Sequence, residues 1–267
     1  MKNNIVIVRG GGDIATGTIQ KLFRSGFKVL VLEKEFPQCI RRTVSCGEAM
    51  YKGSVTIEDF TVRKVKNELE IKNTWEDGEI PIVADEEGKF IKIIKPLAVI
   101  DAILAKKNLG TTKDMAPIVI GLGPGFNASK DVDLVIETNR GHHLGRLIFK
   151  GKPQENTGNP GNIKGFTTER ILRSPKDGKI KVLKDIGSVV KCGEVLGCVG
   201  DEEIKSNLDG MVRGMIKEGS KVFKGMKIGD VDPRIDINYT KTISDKARAI
   251  GGGVLEGILI LKNQGEY

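Results

Sequence analysis

Residues 5–8, Ile-Val-Ile-Val, form an unbroken apolar run between Asn4 and Arg9, the pattern of a strand buried on both faces. The run enters Gly10-Gly11-Gly12-Asp13. Beyond it, Ile14, Ile19, Leu22 and Phe23 fall near one helical face until Gly26. Lys28-Val29-Leu30-Val31-Leu32 then reads as a second strand ending in Glu33. Residues 53–65 read as β structure, with Val55, Ile57 and Val62 amid polar neighbours. Residues 79–85 predict another strand, which Pro81 assigns to a sheet edge or to the strand's first positions. Pro96 predicts the start of a helix carrying Leu97, Ile100, Ile103 and Leu104 and stopped by Asn108-Leu109-Gly110. Two further buried-type strands follow, over 117–121 and 132–137. Strands alternating with helices predict a Rossmann-like, mostly parallel α/β domain over residues 1–165, whose ligands gather at the strands' carboxyl ends.

A second domain, over residues 166–235, is marked by an internal repeat. Gly178, Gly187, Val190, Gly193, Gly197 and Val199 recur 32 positions on as Gly210, Gly219, Val222, Gly225, Gly229 and Val231. One copy of short strands and glycine turns cannot bury its own apolar face, whereas two interlocked copies can. The repeat resembles the barrel-sandwich fold of biotinyl and lipoyl carrier domains. Those carriers present a modifiable lysine on the hairpin between the halves. Here Lys205 lies five residues before Gly210 and matches a strand better than a hairpin tip, so the barrel reads as a docking module without a swinging arm. Residues 236–267 predict a helix that Ser244 caps and that returns to the first domain, interrupted by Gly251-Gly252-Gly253. Glycines inside a helix cost about 1 kcal/mol each relative to alanine, so that triplet serves close packing or is a loop.

The first unit has phosphate-site chemistry. Glycines permit a tight turn and close approach of a pyrophosphate to a helix N-terminus, while an acid about 20 residues on would take a ribose hydroxyl. Gly10, Gly11, Gly12 and Glu33 fill those places, and Asp13 either caps the helix or repels a phosphate. A second glycine loop carries Gly121, Gly123 and Gly125, and the next strand leads to Asn139, Arg140 and His142. Arg41 and Arg42 follow the second strand and offer bidentate forks for an oxyanion. The alternative for each of these features is a tight turn or an exposed surface with no ligand.

Composition narrows the field. The chain has 267 residues, is 39% hydrophobic and contains 34 glycines, as expected of a turn-rich globular protein of two domains. No apolar run approaches the roughly 18 residues of a membrane span, and residues 5–8 are too short for a signal peptide, so a cytoplasmic protein is expected. A net charge of +8 suits anionic ligands, but the basic residues are scattered and aromatics reach only 5%, which argues against nucleic acid. The four cysteines form no CxxC pair, and the two histidines are adjacent, so no metal site is expected.

The ordered motifs VRGGGDIATG, RRTVSCGEAMYKG, GLGPGF, ETNRGHHLG, NTGNPG, KIGDVDPR and SDKARAIGGGVLEGIL resemble the accessory-protein family of selenium-dependent molybdenum hydroxylases, the YqeB type. The resemblance spans Val8 to Leu259. It implies a maturation factor that binds an anionic small-molecule cofactor, NAD or a molybdopterin-type cofactor, through the residues named above. It also implies partnership with a molybdenum hydroxylase and its other maturation factors, and a homo-oligomer is compatible with it. Locally, VRGGGDIATGTIQKL is similar to the start of siroheme-type precorrin dehydrogenases, which implies an NAD-dependent oxidoreductase as an alternative. A carrier-type protein is the third reading, carried by the repeat alone.

Overall fold

A computed structural model describes residues 4–156 and 158–265; Thr157, within the NTGNPG motif, lies outside them. The chain divides into two compact units. The larger comprises Met1–Pro37, Ser45–Asn156 and Ile243–Tyr267, the smaller Gln38–Val44 and Thr157–Thr242. The smaller unit begins before the boundary expected at 165, extends past the one expected at 235, and includes the short 38–44 segment.

The larger unit is built on nine strands: β1 (Ile5–Arg9), β2 (Lys28–Glu33), β3 (Ser54–Ile57), β4 (Phe60–Lys64), β5 (Ile80–Ala84), β6 (Ala98–Asp101), β7 (Ile118–Leu122), β8 (Leu134–Ile136) and β9 (Leu147–Ile148). Their order is β3-β4-β5-β2-β1-β6-β7-β8-β9. The interior pairs from β4 to β8 are parallel, whereas β3 and β9 close the two edges antiparallel to their neighbours. Helices α1 (Asp13–Arg24), α2 (Ala49–Lys52), α3 (Glu68–Glu76) and α4 (Lys89–Ile94) fall between the strands.

Pro81 is the second residue of β5, an interior strand between β4 and β2 and not an edge. The helix expected from Pro96 is absent. Ala98–Asp101 is instead the fully buried strand β6 between β1 and β7, and the helix precedes it at Lys89–Ile94. A short continuous apolar run satisfies both periods, and burial on both faces decided for the strand.

In the smaller unit, β10 (Ile171–Arg173), β11 (Gly178–Val182), β12 (Val189–Val190), β13 (Val195–Val199), β14 (Glu202–Lys205), β15 (Gly210–Met215), β16 (Lys221–Val222) and β17 (Lys227–Asp232) form two antiparallel sheets, β10-β17-β15-β12 and β14-β13-β11-β16. The halves exchange one short strand each. Val190 pairs with Gly210, and at the same offset Val222 pairs with Gly178. Ser174 and Ser206 make matching turns, donating to the carbonyls of Lys176 and Leu208. The apolar core, including Ile180, Leu196, Val199, Val212, Ile228 and Val231, draws on both halves.

Two helices follow, the short α5 (Asn238–Lys241) in the smaller unit and the 20-residue α6 (Asp245–Gln264) in the larger. Helix α6 runs unbroken through Gly251-Gly252-Gly253 and is capped by Ser244, whose Oγ accepts the Ala247 amide. A Cβ on Gly251 would lie 2.5 Å from the Gly17 carbonyl of α1, so Gly251 lets the two helices touch backbone to backbone.

The expectation of a Rossmann-like, mostly parallel domain paired with a biotinyl-type barrel sandwich is corrected. The large sheet is a nine-stranded mixed sheet, because the Phe60 and Leu147 strands double back on their neighbours to close its edges. The smaller unit adds β10 and the 38–44 segment to the repeat, with the Met215 amide donating to the Ile40 carbonyl at 2.9 Å.

Candidate functional site

From β1 the chain runs to β2 and β5 on one side of the sheet and resumes at β6 on the other. The crevice at the carboxyl ends of β1 and β6 is where such sheets receive ligands. A cavity of about 240 Å3 lies there, with Leu32, Ile103 and Leu109 as apolar walls and Gly10, Glu33 and Glu86 on its rim.

Arg9, Asp85 and Glu33 among its charged groups are committed, and Lys34 and Glu86 also line it. Arg9, 4% exposed, donates to Thr111 Oγ1 and, at 3.1 Å, to the Glu86 carbonyl, with Asp101 3.7 Å away. Thr111 in turn donates to Asp101 at 2.5 Å. A guanidinium so engaged is a wall of the pocket and not a free anion receptor. Asp85 accepts the amides of Gly88 and Phe90 at 3.0 and 2.8 Å, which caps the start of α4. Glu33 accepts the amides of Gly11 at 2.7 Å and Lys34 at 2.8 Å. Burial nevertheless pushes its carboxyl above the ordinary glutamate value, and the nearby Glu86 charge adds to the rise.

The glycine triplet is used internally. Gly10 donates to the Leu32 carbonyl, Gly11 donates to Glu33, and the Gly11 carbonyl accepts the Gly47 amide at 2.8 Å. A Cβ on Gly11 would stand 2.9 Å from that same Gly47 nitrogen. The Cys46 amide also donates to Thr16 Oγ1 of α1. The 45–48 turn is thus pinned across the start of α1, where a pyrophosphate was expected, and the acid expected to take a ribose hydroxyl holds the loop amide instead. Gly12 faces open space, and Asp13 is the first residue of α1.

The remaining candidates do not converge on this cavity. Gly121 lies within β7 and Gly123 and Gly125 follow it, and added Cβ atoms there would strike Phe126, Thr138 and the Lys107 backbone. Asn139 bonds Gln154, and its amide donates to the buried Glu137. Arg140 makes a bidentate pair with Asp245 at the start of α6. His142 is exposed, with its ring edge-on to His143 at 5.0 Å. Arg41 and Arg42 belong to the smaller unit. There Arg41 donates to the carbonyls of Tyr239 and Thr242, and Arg42 to Met215 and to Asp185. Arg9, Glu86, Asp101 and Thr111 escaped sequence reasoning. The available signal was a charged residue ending an otherwise apolar strand, as in Ile-Val-Ile-Val-Arg and Ala-Val-Ile-Asp.

Cys46 is fully buried, and burial pushes its thiol up to about 12, so it holds its proton at neutral pH. Among the described residues, no group of three or more His, Cys, Asp or Glu side chains could hold a metal ion.

No family model matches the chain. The Escherichia coli (strain K12) protein named "Uncharacterized protein YqeB" is 49% identical over 263 residues, covering 98% of this chain and 49% of that protein. The chain spans about half the length of the curated relative it matches. This similarity supports the YqeB-type resemblance of the sequence motifs. The ectoine utilization protein EutE (DoeB) from Ruegeria pomeroyi, in its product-bound structure, covers 86% of this chain and 85% of its own at 11% identity and a TM-score of 0.25. An aspartoacylase family protein from Mesorhizobium loti matches at 12% identity over 86% of this chain and 85% of that one, TM-score 0.26. A succinylglutamate desuccinylase/aspartoacylase from Rhodobacter sphaeroides matches at 13% over 88% and 87%, TM-score 0.27. Scores this low carry no chemistry to this chain.

The functions expected from the Rossmann and carrier readings are withdrawn on the geometry of the residues that would carry them. A maturation factor holding a nucleotide or molybdopterin cofactor, and an NAD oxidoreductase, both needed the glycine-loop amides that Glu33 and Gly47 bracket. A carrier needed a lysine on a hairpin tip, whereas Lys205 ends β14 and pairs with Glu203 at 2.9 Å. No helix among the described residues is long and apolar enough to cross a membrane.

Proposed function

We propose that the larger unit is a binding protein for a small polyhydroxylated metabolite seated in the cavity at the ends of β1 and β6. The observation that carries this reading is Glu33. Two amides hold its carboxylate in one orientation on the rim, and each oxygen keeps a lone pair for a donor from the ligand. Leu32, Ile103 and Leu109 offer an apolar wall to the carbon face of such a molecule, and a few convergent polar groups beside apolar walls are the usual makeup of a ligand pocket. The acids Glu33, Asp85 and Glu86 of the lining outnumber its cations, Lys34 and the already engaged Arg9, which favours hydroxyl donors over a phosphate. We read the setting as cytoplasmic, with the four free cysteines as its support.

Thermal unfolding in the presence of a panel of polyols, with NAD and inorganic pyrophosphate as comparison ligands, tests the proposal. A ligand that binds only the folded state raises the unfolding temperature with concentration. A polyol should do so for the wild type and fail with Glu33→Gln. Polyol stabilisation that survives Glu33→Gln would overturn the reading, as would a polyol panel without effect.

A further inference from the structure

A second cavity opens where β6 and β7 end, with a volume of about 540 Å3, and Lys106, Lys130 and Lys152 stand on its rim. Each lysine is set by a different loop, and the loops of Lys130 and Lys152 are bonded to each other through Ala128 and Gly151. Lys106 has a positive φ of 62° beside Lys107, whose backbone packs so tightly on Gly125 that a Cβ there would lie 2.8 Å away. Lys130 sits in the 127–131 turn, closed by Asp131, which accepts the Asn127 amide at 2.9 Å. Lys152 follows Gly151, whose carbonyl accepts the Ala128 amide at 2.8 Å. The floor is Phe126, 5% exposed.

Three lysines from three loops therefore line one concavity. Among the described residues, neither Lys130 nor Lys152 has a carboxylate within ion-pair distance. Two acids share the rim, Asp131, which accepts the Asn127 amide, and Glu155, so three cations face two carboxylates. Ammonium groups are compact point charges and suit a tetrahedral dianion, whereas the planar guanidinium fork that matches a carboxylate is absent from this rim.

We propose that this cavity is a second binding site, for a small phosphate-bearing molecule held by Lys106, Lys130 and Lys152. The site is distinct from the cavity at β1 and β6, although the 103–109 loop serves both: Ile103 and Leu109 line one, and Lys106 the other.

Calorimetric titration of the whole chain with inorganic phosphate tests the proposal, with succinate as the dicarboxylate comparison. Phosphate should bind saturably, more weakly as salt is raised, because exposed charges are screened. The double variant Lys130→Ala, Lys152→Ala should weaken binding about tenfold or more, as expected when charge-assisted hydrogen bonds are lost. Glu155→Gln should tighten it, while Lys89→Ala, remote from the cavity and paired with Glu87, should leave it unchanged. Glu33→Gln should also leave phosphate affinity intact, which separates this site from the polyol site. No saturable phosphate binding, equal losses in the double variant and Lys89→Ala, or tighter binding of succinate would each overturn the assignment.

Discussion

The carboxylate of Glu33 accepts the backbone amide of Gly11 at 2.7 Å, which ties the end of β2 to the loop that leaves β1. The bond orients an acid on the rim of a pocket and removes an amide from any phosphate. Its pH dependence follows from burial, which raises the Glu33 carboxyl above its ordinary value of 4.5. A raised folded pKa means that the folded state binds the proton more tightly than the unfolded state. The contribution to stability is therefore greatest below 4.5 and falls as pH rises through the folded value. Urea midpoints of the wild type should decline across that window relative to Glu33→Gln, which cannot ionise. Parallel profiles would show that Glu33 titrates alike in both states.

Adjacent glycines in α6 should respond in opposite directions to alanine. A Cβ on Gly251 would lie 2.5 Å from the Gly17 carbonyl, and Gly251→Ala should cost about 1–3 kcal/mol through overpacking. Gly252 faces open space, so Gly252→Ala should stabilise by up to about 1 kcal/mol through helix propensity. Denaturant unfolding of the two variants measures both; equal effects would contradict the close contact between α1 and α6.

The smaller unit contains a buried ion pair. Arg170 and Asp230 are 4% and 6% exposed and meet at 3.0 Å, with Arg213 3.8 Å from the same aspartate. Removing one partner of a buried pair strands the other charge at a cost of about 3–5 kcal/mol. Arg213 shields Asp230 in part, so Arg170→Ala should fall near about 3 kcal/mol, and the double variant Arg170→Met, Asp230→Leu should recover most of it. Hydrogen exchange across 171–232 reads the unit directly, because Trp75, the chain's single tryptophan, lies in the other one.

Thiol reactivity should separate two cysteines. Cys46, with no exposure and a thiol pushed up to about 12, should resist alkylation at pH 8 until the protein unfolds. Cys192 is exposed and should react at once. Peptide mapping after timed labelling checks this, and early modification of Cys46 would show that the 45–48 turn opens readily.

Part of the candidate site was legible in the sequence. Gly10 and Glu33 do line the cavity at β1 and β6, because strand ends and the turns between them are set by neighbours along the chain. Arg41 and Arg42 looked like an oxyanion fork, yet their partners lie at Asp185, Met215, Tyr239 and Thr242, which no local pattern indicates. The 97–101 run was read as helix because four consecutive apolar residues fit either period, and only its place between β1 and β7 makes it a strand.

By itself, the sequence determined what local physics governs: the β1-α1-β2 start, the Ser244 cap, and the duplication at 32 residues that returns as matched pairs of Gly178 with Val222 and Gly210 with Val190. Only the tertiary structure decided what the glycines are for. A glycine's lack of a side chain is written in the sequence, but its purpose is the atom that comes close. For Gly11 that atom is on Gly47, for Gly17 on Ala247 and for Gly125 on Lys107. Those distances depend on how distant segments pack, so the same residues that suggested a phosphate cradle became the contacts that close the fold.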